Sequence, residues 1–534
     1  MESAGHNSDP VEPTITELSA DEIVEVTVSK FQMSEEELKD LKEWFTNLIK
    51  LKNKGAYQNI FKPIRPGEYI KVEKIKLRMN PNVEYRSPPP YQIKDPRAQE
   101  AYLTYIKKLI IEGRARELPK GSEVPINSPP RMVIDYYLED GSPMWRFTQD
   151  ARWRNHATVK KPFFSRQTVG EVLQRMGNKI KGTADIKSAF YQLELDEESR
   201  IWTRWLCPVT GKVYEMIVLD MGGCNSPSEL QDRMDKIFGL LAPYMDDPMS
   251  SHDTVEEHKA WIISIFDLCL EHNIKLAPDK CNFFRKNVEA LGRLVDNSIH
   301  TLSSETKEKI MKASKPKTVT DLQSFIGMEN WARDYIFHRG KFASEMTKPL
   351  TEMINENPPK LRWTKEREEA FEQLKEAAAH SLKLNFFDPN RKINIACDAS
   401  KKGWGGIAFY LNDSGEKEIF VVASGSFTET EQVWSTNEHE AKAIHSTFMA
   451  FKNYLLGRQF TLFTDNRNLT FLHNNKAEKV HRWICDLAQF LFLAYRTPGK
   501  LNWETDFLSR IVTEQTEPIA ARFFDGHLND HGGV

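Results

Sequence analysis

The chain has 534 residues, 40% hydrophobic and 28% charged, a globular composition with room for roughly three or four domains. A net charge of −3 excludes a uniformly basic nucleic-acid binder, though not an enzyme with a local positive channel. Six scattered cysteines, with no CxxC and no Cys/His metal spacing, exclude a disulfide framework or a zinc module and point to a reducing compartment. No secretory segment is visible and no apolar run approaches the ~20 residues a membrane helix needs, so a soluble intracellular protein with no membrane partner is expected.

Residues 1–30 carry seven acids and one lysine with little hydrophobic period, which reads as a disordered or loosely attached acidic tail. In the extension that follows to residue 84, SEEELKDLKEWFTNLIKL at 34–51 predicts a helix with Ser34 as cap and Glu37 completing a capping box. The prolines of RSPPPYQI at 86–93 predict an extended connector, and a helix follows over 96–115. Between 130 and 300 short strands alternate with helices. KIKGTADIKSAFYQLEL at 179–195 begins as a buried strand and turns at Ser188. SPSELQDRMDKIFGLL at 226–241 is read as a helix capped by Ser226 with Glu229 in the capping box, and 254–274 as a long amphipathic helix. Residues 303–355 and 363–383 read as helical. From 391 the pattern changes to a strand, RKINIACDAS, then a glycine-rich hairpin at GWGG (403–406), a helix over 437–454, a strand over 458–464, and helices at 466–473 and 478–490, with a polar tail at 513–534.

Two sets of acids carry the chemistry. Tyr244-Met245-Asp246-Asp247 alone reads as an acidic turn. Asp185 closes a hydrophobic strand about 60 residues earlier, and three such carboxylates facing one another suit divalent metal and nucleotidyl transfer. Asp398, Glu440, Asp465 and Asp506 end a strand, sit on a helix, end a second strand and sit late in the chain. Four convergent carboxylates can hold a metal pair that activates water against a phosphodiester. Glu438 competes with Glu440 for the helical position.

The motifs WRFTQDARWRN at 145–155, ADIKSAFYQLEL at 184–195, GGCNSPSELQDRMD at 222–235, YMDD at 244–247, KLAPDKCNFF at 275–284 and LGRLV at 291–295 come in a characteristic order. They continue with LRWTKEREEAFEQLK at 361–375, CDAS at 397–400, YLLGRQFTLFTDNRNL at 454–469 and TPGKLNWETDFLSR at 497–510. Over residues 85–512 the chain resembles the reverse transcriptase–ribonuclease H portion of the Pol polyprotein of Ty3/gypsy-class LTR retrotransposons.

That resemblance implies an α/β (α+β) fold: a right-hand polymerase with fingers and palm over 85–300, thumb over 301–345, a connection over 346–388 and a ribonuclease-H-like domain over 389–512. It implies RNA- and DNA-templated DNA synthesis together with cleavage of RNA in RNA–DNA hybrids. Mg²⁺, two ions per active site, or Mn²⁺ would be held by Asp185, Asp246 and Asp247 in the palm and by Asp398, Glu440, Asp465 and Asp506 in the nuclease. Arg146 would clamp the incoming triphosphate, Phe190 would gate the sugar, and Gln192 and Gly222, within the Gly222–Pro227 loop, would line the nascent pair and template. The partners implied are primed RNA or DNA template, RNA–DNA hybrid and deoxynucleoside triphosphates, with the enzyme a monomer or homodimer in a cytoplasmic virus-like particle or the nucleus.

Lys307, Lys309, Lys312, Lys315 and Lys317 read as a thumb-like phosphate track or as a solvated helix face, and Trp331 and Tyr335 as packing residues. Three positions depart from the family's pattern. VIDYYLEDGSPM at 133–144 has three acids and lacks the lysine that helps bind triphosphate, Asp220 stands where a proline opens the loop, and Pro248 follows YMDD. These keep two alternatives open: a weakened or domesticated nucleic-acid-binding protein, and an enzyme with only the nuclease working.

Overall fold

The structure, a computed structural model, describes residues 17–496 apart from 86, 90, 138–140, 142, 163–168, 242, 339–340, 357–360 and 465–477. It divides into two compact units, Met1–Val288 and Glu289–Val534.

The first unit is built on an antiparallel sheet in which Ile180–Thr183 lies between Met249–His252 and Asn282–Arg285. Ile180 and the strand's neighbours need cover, and it comes from helices Ser226–Phe238 and Val255–Glu271. Their Leu230, Met234, Trp261, Ile262, Ile265 and Phe266 join one apolar cluster with Phe283 and Phe284 of the sheet. The long helix starts as its sequence predicts, with Thr254 and Glu257 forming a capping box. The other helix does not. Asn225 is its N-cap residue with no side-chain cap bond, and Ser226 is already helical. The Asn225 side chain is committed elsewhere, and Glu229 pairs with Lys161 and Arg233 instead of closing a box. A β-hairpin, Pro130–Tyr137 with Pro143–Gln149, and a small sheet of Ala115–Leu118, Val213–Met216 and Trp205–Leu206 complete the unit.

The acidic N-terminal segment is not a loose tail where it is described. Ser19 and Glu22 form a capping box on helix Ala20–Val28, and Ile23, Val24 and Thr27 are buried. Helix Glu35–Lys50 follows with the expected Ser34–Glu37 box. Its Phe45 is fully buried against Phe266 and Phe283, while Phe31 and Trp44 pack edge-on to Phe284. Asp21, Glu22 and Glu25 occupy the solvent side of a helix whose apolar stripe is short; three buried residues in nine were too few to register as a period.

In the second unit, Arg293–Val295 and Ile299–Leu302 pair antiparallel, and Leu384–Asn385 adds to the latter. Helices Ser304–Met311, Val319–Ala332, Ala343–Asn355 and Lys365–Ala379 surround one apolar cluster that runs from Leu302 to Val422. The cluster ends on Ala396, Ile407, Phe409, Ile419 and Val422, which line one face of a five-stranded sheet. The other face, with Ile393, Ile395, Cys397 and Ala408, is covered by Ala441, Ile444 and Phe448 of helix Thr436–Ala450. The sheet order is Lys417–Ser426, Gly403–Leu411, Ile393–Ala399, Gln459–Thr464 and Leu491–Arg496, the last two pairings being parallel. Two sequence readings change here. The GWGG glycines lie inside strand Gly403–Leu411 and not at its turn, because a Cβ on Gly406 would collide with Thr447 of the covering helix. Leu491–Arg496, outside every predicted element, is the fifth strand, its Leu491 and Leu493 exposed and only Ala494 deeply buried. The expected helix at 466–473 and the polar tail at 513–534 lie outside the described residues.

Glu329 sits on the inner face of helix Val319–Ala332 with no exposed surface. Burial pushes its carboxyl from 4.5 up to about 7, against the opposing pull of the Thr347 hydroxyl and the Arg333 charge. A raised folded pKa stabilises below the unfolded value and loses that stabilisation as pH rises through about 7. Glu329→Gln should therefore melt higher than wild type at pH ~8, by an amount worth up to about 3 kcal/mol, and show little gain at pH ~4. Thermal melting of both proteins across that range is the check.

Candidate functional site

Asp185, Asp246 and Asp247 are brought to one place by backbone pairing. The Ala184 N–H donates to Pro248 O at 2.8 Å, the Ile186 N–H to Asp246 O at 3.0 Å, and the Ala277 N–H to Asp185 O at 2.9 Å. Tyr244 and Asp247 exchange backbone bonds of 3.3 and 3.2 Å across the turn. The turn holds Met245 at φ +60°, a conformation that costs a non-glycine residue of order 1 kcal/mol. Gln231, buried in helix Ser226–Phe238, accepts the Met245 N–H at 2.9 Å and donates to Pro243 O at 3.0 Å and Asp235 at 2.9 Å. Sequence reading missed Gln231; its signal was an amide between Leu230 and Met234 on the helix's inner face.

The charge of Asp185 reaches both acids of the turn. Burial first, then the charges of Asp246 and Asp185, push Asp247 up to about 7. Burial and Asp185 raise Asp246 as well. The cation that acts on both is Lys280, whose Nζ lies 3.4 Å from Asp185 Oδ2. Carboxylates driven toward protonation by crowding favour a cation. They are not gathered as preformed ligands: among the described residues no three His, Cys, Asp or Glu side chains form a group able to hold a metal ion.

The flanking residues sort differently. Arg146 is exposed on the hairpin and pairs across it with Val133, and Arg131 pairs with Thr148. Strand alternation puts Arg131 and Arg146 on the same exposed face. Trp145 and Phe147 point to the other, where Phe147 stacks on Tyr105 at 4.0 Å. The stretch 133–144 indeed lacks a cation, yet Arg131 stands two residues before it. Phe190 is half-buried against the core of the first unit. Gln192 must be reassigned. It is fully buried, its amide donating to Lys187 O (2.6 Å) and Lys275 O (2.9 Å) and accepting the Lys275 N–H (2.8 Å), so it braces backbone and presents nothing to a substrate. Asn225 likewise serves backbone, donating to Val159 O and accepting the Lys161 N–H.

Gly222 packs so closely on Gln149 that a Cβ would collide with its carbonyl oxygen. Asn155 donates to Gly222 O and accepts the Cys224 N–H, both at 2.8 Å, stitching this loop to the segment that carries Arg146. Asp220, foreign to the family's pattern, is 3% exposed, holds Arg154 through both oxygens at 2.7 Å and accepts the Gly223 N–H at 3.0 Å. Pro248 precedes strand Met249–His252 and contributes its carbonyl to the pairing, so its missing N–H leaves the strand intact.

In the second unit Asp398 lies near the end of the central strand Ile393–Ala399. Parallel pairing of Ala396 with Phe463 sets the C-terminal ends of strands Ile393–Ala399 and Gln459–Thr464 side by side. Glu440 is buried on helix Thr436–Ala450, on the turn that Ala441 packs into the sheet. Glu438 is taken up by the Ser435 capping box and Lys479, which leaves Glu440 as the inward acid. Asp465 and Asp506 lie outside the described residues.

The lysine cluster is largely paired internally: Lys309 with Glu305, Lys312 with Glu308, and Lys315 with Glu368. Between helices Ser304–Met311 and Val319–Ala332 a groove of about 590 Å³ is lined by Thr306, Lys309, Ser324, Gly327, Met328 and Trp331. Trp331 is 41% exposed beneath the Arg293 guanidinium, contrary to a packing role, whereas Tyr335 is buried and bonded to Arg293 and His300.

Residues 140–295 match the family model for reverse transcriptase (RNA-dependent DNA polymerase), and residues 388–490 that for the RNase H-like domain found in reverse transcriptase. The enzymatic polyprotein of cauliflower mosaic virus (strain D/H) is 29% identical over 527 residues, 96% of this chain and 75% of the relative. The retrovirus-related Pol polyprotein from transposon 412 of Drosophila melanogaster is 29% identical over 70% of this chain and 30% of its own length. The chain is a reverse-transcriptase/ribonuclease-H-like protein related to the Pol polyproteins of Ty3/gypsy retrotransposons and pararetroviruses. Two foamy viral protease–reverse transcriptase structures share its fold. One, in complex with double-stranded DNA, matches at TM-score 0.71 and 22% identity over 92% of this chain and 84% of its own. The other, with RNA/DNA hybrid, matches at 0.67 and 23% over 96% and 67%. Catalytic polymerase and ribonuclease H domains follow from this kinship, and with them dependence on divalent cations.

The Arg154–Asp220 pair predicts a large penalty for breaking it from one side. Asp220→Asn leaves a buried guanidinium without its counter-charge and should lower stability by about 3–5 kcal/mol. Denaturant unfolding followed by tryptophan fluorescence measures it.

Proposed function

We propose that the first unit polymerises DNA on RNA or DNA template and that the second cleaves RNA in the resulting hybrid. Fingers and palm then fall in the first unit, and thumb, connection and ribonuclease H in the second. The observation that carries the reading is the backbone pairing that joins Asp185 to the turn at 244–247 from a distant segment, close enough for its charge to act on Asp246 and Asp247. Asp185, Asp246 and Asp247 would hold Mg²⁺ or Mn²⁺, two ions per site, and Asp398, Glu440, Asp465 and Asp506 would do so in the nuclease. The ions supply Lewis-acid stabilisation of attacking and leaving oxygens.

The chain's own residues supply orientation. Arg146 and Arg131, on one exposed hairpin face, are placed to take a triphosphate together, Arg131 substituting for the lysine missing from 133–144. Phe190, half-buried, would set its free edge against a ribose 2′-hydroxyl. Gly222 allows the loop to lie flat on the hairpin strand, which keeps template and triphosphate sites in register. The groove beside Trp331 offers a flat aromatic surface and a lysine to the primer–template duplex. The foamy viral relatives were solved with duplex and hybrid, which supports the same partners here. Monomeric or homodimeric action in a virus-like particle completes the proposal.

Primer extension and hybrid cleavage, assayed side by side, separate this reading from a nuclease-only or scaffold protein. Asp246→Asn with Asp247→Asn should abolish extension and leave cleavage, and Asp398→Asn should do the reverse. Extension by the double mutant, or cleavage by the single, overturns the corresponding assignment. Arg131→Ala should raise KM for deoxynucleoside triphosphate about tenfold, the worth of one charge-assisted phosphate contact, with little change in kcat. An unchanged KM removes Arg131 from the triphosphate site.

A further inference from the structure

A side chain of the N-terminal layer, helices Ala20–Val28 and Glu35–Lys50 with the turn between them, reaches the loop beside Asp185. Lys30, just past helix Ala20–Val28, sends its ammonium to three main-chain carbonyls of a single loop: Pro278 (3.3 Å), Asp279 and Cys281 (3.1 Å). An ammonium has three donors, so its hydrogen-bonding capacity is filled by this loop alone. The residue these carbonyls flank is Lys280, the cation that faces Asp185 and acts on Asp246 and Asp247. The loop is tied on its other side to the catalytic strand by the Ala277 N–H to Asp185 O bond, and closed by the Lys280 and Cys281 N–H groups on Ala277 O at 3.0 and 3.1 Å. Lys30 is itself held. Its carbonyl accepts from Arg285 at 2.6 Å, and the Gln32 N–H donates to Phe284 O at 2.9 Å.

We propose that Lys30 is a positioning residue for the polymerase site: it clamps the 277–281 loop so that Lys280 and the backbone of Asp185 keep one geometry. The N-terminal layer is thereby part of the polymerase and not an appendage. Its bearing on catalysis rests on the polymerase reading above; the clamp itself does not. Lys280 lies on the Asp185 side, while Arg131 and Arg146 are on the hairpin, so loss of the clamp acts on turnover more than on triphosphate affinity.

The test compares the full chain with Lys30→Met and Lys30→Arg. Hydrogen exchange of the 277–281 amides reads the clamp without reference to activity. In Lys30→Met it should accelerate at least about tenfold, with the amides of helix Val255–Glu271 unchanged. Primer extension should lose about tenfold in kcat with KM for triphosphate within about twofold, hybrid cleavage should be retained, and Lys30→Arg should restore most of the turnover. Unchanged exchange in Lys30→Met overturns the clamp. Accelerated exchange with unchanged kcat overturns its catalytic bearing, as does a loss of hybrid cleavage in step with extension, which marks general unfolding. A wild type that does not extend primers defeats the polymerase reading and leaves the clamp to the exchange measurement.

Discussion

Like charges held close together are the constraint around which the first unit is built. Burial and the charge of Asp185 push both Asp246 and Asp247 toward protonation, and Asp246 adds to the push on Asp247, so backbone bonds are needed to keep them beside Asp185. It does so with pairings on both sides of the acids: Ala184 to Pro248, Ile186 to Asp246, and Ala277 to Asp185. The strained Met245 turn is tolerated because Gln231 satisfies its amide from a buried helix. Carboxylates crowded in this way and held by backbone bonds favour a nearby cation, a part that Lys280 takes beside Asp185.

The supports of that site come from residues other than the acids themselves. Gln192 ties the 187–192 turn to Lys275 on the neighbouring segment, and Lys30 ties the segment after it to the N-terminal layer. Phe31, Trp44 and Phe45 anchor that layer on the aromatic pair Phe283–Phe284, whose strand pairs with the one leading to Asp185. Apolar packing and a few main-chain bonds thus connect the first described helix, Ala20–Val28, to the acids.

The departures from the family's pattern turn out to be accommodated. Asp220 takes over loop anchoring from a proline by a different physical means, a buried two-oxygen grip on Arg154 and a bond to the Gly223 amide. Pro248 falls one residue ahead of its strand, where only its carbonyl is needed. The acidic hairpin keeps two arginines on its exposed face, one of them outside the stretch where the lysine is missing.

The sequence by itself determined the kinship and the elements whose signals are local. The capping boxes at Ser34 and Thr254 and the strand into Asp398 depend only on neighbours a few residues away, so they were legible. Tertiary structure decided what long-range partners control. Glu438 and Glu440 have the same chemistry two residues apart, and only the cap at Ser435 and the sheet beneath Ala441 separate them. Gln192 looks like a residue that lines the nascent pair until the Lys275 carbonyl, 83 residues away, claims its amide. GWGG looks like a turn until Thr447 is seen to need the space, and Ala20–Val28 looks like a tail until the apolar cluster of the first unit covers its narrow stripe. A residue's role in such places is set by which distant group meets it on folding, and no local pattern of residue types records that meeting.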